Sequence, residues 1–134
     1  MNYYAALDVS LRSVHICVMD EKGEIQASYG IQASLSPAKS ELSEGNYYFV
    51  HAGICPGVAL EKQDFQDQLW IRDAFTNRAL DHGAIVVYGH TISEQAELLP
   101  NRIGLDTDAY YSGVLTCPVL EGTEQRLLQT GVDK

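Results

Sequence analysis

The sequence predicts an α+β fold, because short β-prone runs recur from Tyr3 to Leu128 while only residues 64–75 carry a helical pattern. A second observation is that Ser, Pro and Gly interrupt the periodicity between residues 30 and 46. We therefore expect three segments: a β-hairpin segment over residues 1–29, a junction or linker over residues 30–46, and a larger mixed segment over residues 47–134.

The N-terminal segment predicts three strands, at residues 3–9, 14–19 and 24–29. The last two are separated by Asp20-Glu21-Lys22-Gly23, whose residue types are typical of a hairpin turn. Asp8 closes the first of these strands. We expect this segment to be a small antiparallel ribbon.

The mixed segment predicts one main helix, which Asp64 can cap and which runs to Phe75. Trp70 has the largest apolar area in that helix, so we expect it to anchor the helix in the core. Tyr110 and Tyr111 are expected to pack on the sheet or at its rim. The expected strands are residues 47–50, 84–88, 103–105, 113–120 and 126–128.

The composition limits the possible function classes. Nine Lys and Arg residues against 18 Asp and Glu residues give a net charge of −9, which argues against a nucleic-acid partner because phosphate contacts need clustered Lys and Arg. Cys17, Cys55 and Cys117 are far apart and odd in number, which indicates a reducing compartment. No run is long enough to span a membrane and no signal peptide is recognised, so we expect a cytoplasmic protein.

Two histidines follow β-prone runs and lie in glycine-containing turns. They are His51 in His51-Ala52-Gly53 and His90 in Gly89-His90-Thr91. Imidazole is the commonest metal ligand in proteins, and a histidine at the end of a strand can be presented at the edge of a sheet. These two residues are the candidate metal ligands.

Residues 47–128 resemble the C-terminal half of bacterial PPP-family serine/threonine metallophosphatases, the calcineurin-like phosphoesterases. The resemblance rests on four motifs in order: His51-Ala52-Gly53 before Pro56-Gly57, Leu69-Trp70-Ile71-Arg72, Gly89-His90-Thr91, and Pro100-Asn101-Arg102-Ile103 with Leu105-Asp106-Thr107. It implies half of a metallophosphoesterase-type β-sandwich. At position 108 the family usually has glycine, which suits a backbone with positive φ, whereas this chain has Asp108.

The resemblance implies that His51 and His90 bind one of two metal ions and that Arg72 grips the substrate phosphate. It further implies a divalent metal cofactor (Mn, Fe or Zn) and a phosphorylated protein or other phosphomonoester as substrate. The motifs that carry the remaining ligands, Gly-Asp-x-His-Gly, Gly-Asp-x-x-Asp-Arg-Gly and Gly-Asn-His-Glu, do not occur in this sequence. Two imidazoles without a carboxylate are a poor site for Mn²⁺, and Zn²⁺ sites use three or four ligands.

Residues 2–25 resemble the start of DEDD-type insertion-sequence transposases, which have an RNase-H-like domain. Tyr4-Ala5-Ala6-Leu7-Asp8-Val9-Ser10 and Val14-His15-Ile16-Cys17-Val18-Met19-Asp20 carry this resemblance. It implies a catalytic, metal-binding role for Asp8. A strand-terminal turn residue is the simpler interpretation of Asp8.

Together these observations predict a truncated phosphatase relative that is inactive by itself. The alternatives are a non-catalytic binding module and a mobile-element fusion remnant without selected function. Because half of the family's sheet is missing, residues 47–50 are expected to form an exposed sheet edge that could support self-association.

Overall fold

A computed structural model describes residues 3–10, 13–20, 22, 24–32 and 41–130 of this chain. The described residues form two compact units, with a boundary between Asp106 and Thr107. Residues 41–106 make up one, which we call the mixed unit. The N-terminal strands and residues 107–130 make up the other, which we call the antiparallel unit.

The antiparallel unit is a five-stranded sheet with the order β10-β9-β1-β2-β3, in which every described pairing is antiparallel. Each predicted N-terminal strand is present, with bounds that differ from the expected ones by at most three residues. The strands are β1 (Tyr3–Ser10), β2 (Ser13–Asp20), β3 (Ile25–Gln32), β9 (Thr116–Glu121) and β10 (Glu124–Gln129).

A short helix, α3 (Ala109–Ser112), precedes β9 and was not predicted from the sequence. The expectation that Tyr110 and Tyr111 pack on the sheet is wrong, because their exposed fractions are 102% and 88%. Asp108, which caps this helix, has a φ of 53° and a left-handed backbone. The position that would suit glycine therefore does take positive φ, although it holds an aspartate.

The mixed unit is a five-stranded sheet with the order β4-β5-β6-β8-β7. The pairings β5–β6 and β6–β8 are parallel, and the two outer pairings are antiparallel. The strands are β4 (Glu41–Glu44), β5 (Tyr47–Val50), β6 (Ile85–Tyr88), β7 (Glu97–Leu99) and β8 (Arg102–Gly104). The structure thus has the predicted mixture of helices and strands, with one mixed and one antiparallel sheet.

Two expectations about the sheet edge are wrong. Residues 41–44, expected in the junction, form β4, which pairs with β5 through a turn at Gly45 and Asn46. Tyr47–Val50 is therefore an internal strand with β4 on one side and β6 on the other, and all four of its residues are buried. Residues 33–40 of the predicted junction lie outside the described residues.

The predicted helix over residues 64–75 is interrupted. It consists of α1 (Phe65–Trp70) and α2 (Asp73–Thr76), which are separated by an extended backbone at Ile71. The Asp64 side chain accepts a hydrogen bond from the Gln66 amide at 2.8 Å, as expected of an N-cap. Because α1 ends at Trp70, that side chain does not reach the core and is 62% exposed, so its expected role as a core anchor is wrong.

The core of the mixed unit joins the parallel strands to α2. Phe75 of α2 is fully buried and packs with its ring edge on Tyr88 of β6, at a centroid distance of 5.0 Å. A side chain at Gly53, where φ is 146°, would overlap the Phe75 ring. Close packing against Phe75 therefore explains why glycine occupies the turn after β5.

The compact units do not coincide with the predicted segments, since β9 and β10 belong with the N-terminal strands through the pairing of β1 with β9. The separate origins expected for residues 1–29 and 47–134 stay predictions. Among the described residues, no helix has the length and apolar character needed to cross a bilayer.

Candidate metal centre

Three neighbouring parallel strands of the mixed unit end at one edge of its sheet. His51 directly follows β5, His90 is two residues beyond β6, and Asp106 is two residues beyond β8. The backbone pairing continues past the strand ends, because the Gly89 amide donates to the His51 carbonyl at 2.8 Å. The carboxyl ends of parallel strands are the usual position of ligand sites in such sheets.

The two predicted metal ligands are in direct contact. His51 Nε2 and His90 Nδ1 are 3.1 Å apart, and their ring centroids are 4.8 Å apart. One of these nitrogens donates a hydrogen bond to the other. The structure therefore brings together two residues that are 39 positions apart in the sequence.

The distance between these nitrogens fits joint ligation of one ion. Metal–imidazole bonds of about 2.0–2.1 Å would place an ion between nitrogens 3.1 Å apart with an N–metal–N angle of roughly 100°. That angle lies between the octahedral and tetrahedral values. His51 Nε2 and His90 Nδ1 could therefore bind the same ion without a large change in backbone position.

Both imidazoles are held in the neutral form, which is the form that binds metal. Burial is the main cause that lowers the pKa of His51 to about 4; the neighbouring His90 and Arg72 also lower this pKa, while Asp106 opposes them. Burial also lowers the pKa of His90, with Arg72 as the next cause. Near neutral pH, a metal ion would not have to displace protons from these two rings.

Arg72, the predicted phosphate-binding residue, lies beside the histidine pair. Its Nη1 donates to the His90 carbonyl at 3.2 Å, and the residue is exposed. Interruption of the predicted helix places it there, because Arg72 precedes α2 instead of continuing α1. A guanidinium has further N–H donors, so Arg72 can still bind an anion at this edge.

His90 has an unusual backbone, with a φ of 66°. Left-handed backbone is uncommon for residues other than glycine, although histidine adopts it more readily than most. The conformation is stabilised by the turn bond from the Thr91 amide to the Gly89 carbonyl at 2.7 Å and by the Arg72 contact. Such strained positions cost about 1–3 kcal/mol and are concentrated at functional sites.

Trp70 also contacts His90, and this was not predicted from the sequence. The indole and imidazole rings meet edge to face with centroids 5.8 Å apart. Asp106 was missed as well, although it influences the pKa of both histidines. Its position after a strand could have indicated it, because β8 is parallel to β6 and ends at the same edge.

Among the residues whose side chains the structure describes, no group of three or more His, Cys, Asp or Glu could hold a metal ion. His51 Nδ1 and His90 Nε2 are buried without a hydrogen-bond partner in the described part of the chain. Metal-ligating histidines normally donate this second N–H to an oxygen acceptor, so the orienting contacts are also missing among these residues.

The remaining candidate, Asp8, lies in β1 of the antiparallel unit, where it pairs with His15 of β2. The side chains of β1 and β2 are outside the described part of the structure, so the catalytic role implied for Asp8 stays a prediction.

Comparison with known proteins gave no match: no family model, curated protein or solved structure is similar to this chain.

Proposed function

We propose that the mixed unit carries the two-histidine part of a divalent metal site of the phosphoesterase type. The observation that carries this proposal is the 3.1 Å separation of His51 Nε2 and His90 Nδ1 at the ends of two parallel strands. Arg72 supports it, since its guanidinium lies at the same edge and could bind a phosphate oxygen of a phosphomonoester.

Two imidazoles favour Zn²⁺ and the other late first-row metals over Mn²⁺ or Mg²⁺, which prefer oxygen ligands. We therefore propose that this chain binds Zn²⁺ weakly and Mn²⁺ more weakly still. Two-metal hydrolysis needs carboxylates that hold and bridge both ions, and no such motif occurs in this sequence. By itself the chain is accordingly proposed to bind metal and phosphate without hydrolysing a phosphomonoester.

The first test is a Zn²⁺ titration followed by the emission of Trp70, the only tryptophan of the chain. Its ring contacts His90, so metal binding should change its emission. His51→Ala and His90→Ala should each weaken binding roughly tenfold or more, about 1.4 kcal/mol. His82→Gln is the matched control, because His82 is another partly buried histidine of the same unit whose ring packs on Phe75.

Equal Zn²⁺ affinity in the wild type, His51→Ala and His90→Ala would contradict the proposed site. Hydrolysis is tested separately with p-nitrophenyl phosphate and Mn²⁺, beside the His90→Ala variant. Activity that this variant lacks would show that the chain completes a catalytic site, and would refute the proposal that it is inactive by itself.

A second candidate function, a non-catalytic binding module, is favoured by one observation on the antiparallel unit. Tyr110, Tyr111, Leu115 and Leu128 expose 102%, 88%, 54% and 46% of their surface. Large exposed apolar side chains are typical of interaction surfaces where they lie together in one patch. Sedimentation of the wild type and of Tyr110→Ser/Tyr111→Ser over a range of concentrations tests it, and self-association unaffected by the double substitution would exclude this surface.

A further inference from the structure

Two opposite charges act on the histidine pair. Arg72 Nη1 donates to the His90 carbonyl at 3.2 Å, so the guanidinium contacts the residue whose ring contributes Nδ1 to the pair. Asp106 follows β8 at the same edge of the sheet. Charges this close to a group are only partly screened at physiological ionic strength, where the screening length is about 8 Å.

The two charges have opposite effects on both rings. Burial is the main cause that lowers the pKa of His51 and of His90; Arg72 also lowers the pKa of both, and Asp106 opposes it. The effect of Arg72 on the pKa exceeds that of Asp106 at His90 and is smaller than that of Asp106 at His51. Arg72 therefore disfavours positive charge on either ring, and Asp106 favours it.

The same repulsion applies to a metal ion at the pair. A divalent ion shared by His51 Nε2 and His90 Nδ1 would carry two positive charges where a protonated ring carries one, so repulsion by Arg72 counts about twice as much. The guanidinium cannot relieve this repulsion by losing a proton. A bound anion can relieve it, because Arg72 is exposed and has N–H donors besides the one directed at the His90 carbonyl.

We propose that Arg72 makes metal binding at the histidine pair depend on a tetrahedral oxyanion. An anion on the guanidinium offsets its charge, so the anion and the metal ion each raise the affinity of this edge for the other. This inference rests on the proposed function, since it concerns the same two ligands. Such couplings are reciprocal and typically about 5–150-fold, and we expect roughly fivefold here because Arg72 is exposed to solvent.

The test is a Zn²⁺ titration followed by Trp70 emission, once in sodium sulfate and once in sodium chloride of equal ionic strength. Equal ionic strength keeps the screening constant, and Zn²⁺ affinity should be roughly fivefold higher in sulfate. Association of Zn²⁺ with sulfate in solution acts against this result, since it lowers the concentration of free Zn²⁺. Equilibrium dialysis of radiolabelled sulfate, with and without saturating Zn²⁺, should give the same factor because the coupling is reciprocal.

Methyl phosphate in place of sulfate distinguishes a phosphomonoester from a free anion. We expect the same coupling with both, because the charge of the tetrahedral group offsets that of Arg72 whether or not an ester is attached. Coupling with neither anion would overturn the proposal.

Three variants test the role of Arg72. Arg72→Gln removes the charge, so Zn²⁺ affinity in chloride should rise roughly fivefold and sulfate should no longer change it. Arg72→Lys retains the charge and should keep the low affinity. Arg78→Gln is the matched control: Arg78 is also exposed, but its carbonyl contacts Asn101 at the start of β8, at the other end of that strand from Asp106.

Lower Zn²⁺ affinity in Arg72→Gln would overturn the inference, because Arg72 would then support metal binding instead of opposing it. Coupling that persists in this variant would also overturn it, since the anion would then act on the metal ion directly. Zn²⁺ binding that is the same in every salt and variant would refute this inference alone. Absence of Zn²⁺ binding in all of them would refute the proposed function as well.

Discussion

The antiparallel unit and the mixed unit connect their strands differently. In the antiparallel unit, β9 and β10 are consecutive in sequence, neighbours in the sheet, and joined by Gly122 and Thr123. In the mixed unit, β5, β6 and β8 run parallel, so the chain leaves one edge of the sheet and returns at the other. Consecutive crossovers collect residues from distant parts of the sequence at one edge.

This difference explains why the candidate centre lies in the mixed unit. His51, His90 and Asp106 each follow a parallel strand, and they come together although the sequence separates them widely. In an antiparallel sheet, successive strand ends alternate between opposite edges, so a site of this type would need residues from every second connection. Strand direction, as much as residue type, determines which polar side chains can meet.

The largest expected effect concerns the core that supports this edge. Phe75→Ala removes a fully buried ring and should lower the free energy of unfolding of the mixed unit by about 3–5 kcal/mol. Urea denaturation followed by Trp70 emission measures it, because Trp70 belongs to this unit.

Val119→Ala is the matched substitution in the antiparallel unit, where Val119 is also fully buried. We expect it to leave the emission of folded Trp70 unchanged. An unchanged urea midpoint for the Trp70 signal in Phe75→Ala would contradict the assignment of Phe75 as the centre of this core.

The second expected effect is a pH dependence of the free energy of unfolding, which is caused by the titration of His51. Its pKa is about 4 in the folded protein and about 6.5 when unfolded, so the unfolded chain binds the proton more tightly. The contribution of neutral His51 to the free energy of unfolding is therefore fully present above the unfolded pKa, and it is lost as the pH falls toward 4. Between about pH 7 and about pH 5 the loss should be about 2 kcal/mol.

Urea denaturation at several pH values, again followed by Trp70, measures this dependence. His51→Gln should remove most of this pH dependence. His82→Gln should remove less, because burial is the main cause that lowers the pKa of His82 and this residue is less buried than His51. A wild-type slope equal to that of His51→Gln would mean that His51 titrates normally in the folded state.

A third, smaller effect tests the start of α1. Asp64→Ala removes the side chain that accepts from the Gln66 amide, and should cost about 1 kcal/mol. Asp64→Asn retains an acceptor oxygen and should cost much less. Equal losses in the two variants would indicate that the charge of Asp64, and not its hydrogen bond, stabilises the helix.

The smallest effect is expected in the antiparallel unit. Asp108→Gly should stabilise it by about 0.5 kcal/mol, because glycine adopts the φ of 53° without a steric penalty but loses more conformational freedom on folding. Asp108→Ala should destabilise it by a similar or larger amount. Thermal unfolding followed by circular dichroism measures both, and a more stable alanine variant would contradict the left-handed conformation of Asp108.

Sequence patterns predicted the structure best where interactions between residues close together in the sequence determine it. The strand over residues 47–50 was predicted with its observed bounds because four consecutive β-prone residues are bounded by polar and glycine-containing turns. The Asp64 cap was predicted for the same reason, since capping depends on residues within one helical turn. His51 and His90 could be chosen as a pair, but their contact could not be derived without the parallel pairing of β5 and β6.

The predictions that failed concern features that are determined by residues distant in the sequence. Trp70 was expected to be buried on account of its size, but its exposure follows from the break at Ile71, which apolar periodicity does not indicate. The pairing of β4 with β5 could not be predicted either, because β4 is a short polar segment without a strand pattern. Asp106 was not recognised as a neighbour of the histidines, because this requires the register of β8 beside β6.

The sequence by itself determined the local features of this protein: an α+β mixture, the places where β5 and α1 begin, and the two histidines in glycine-containing turns. These depend on side chains within a few positions of one another. Only the tertiary structure decided that β5, β6 and β8 are parallel neighbours, that His51 and His90 are in contact, and that Trp70 is exposed beside them. Those outcomes depend on pairings between residues far apart in sequence, which local propensity cannot specify.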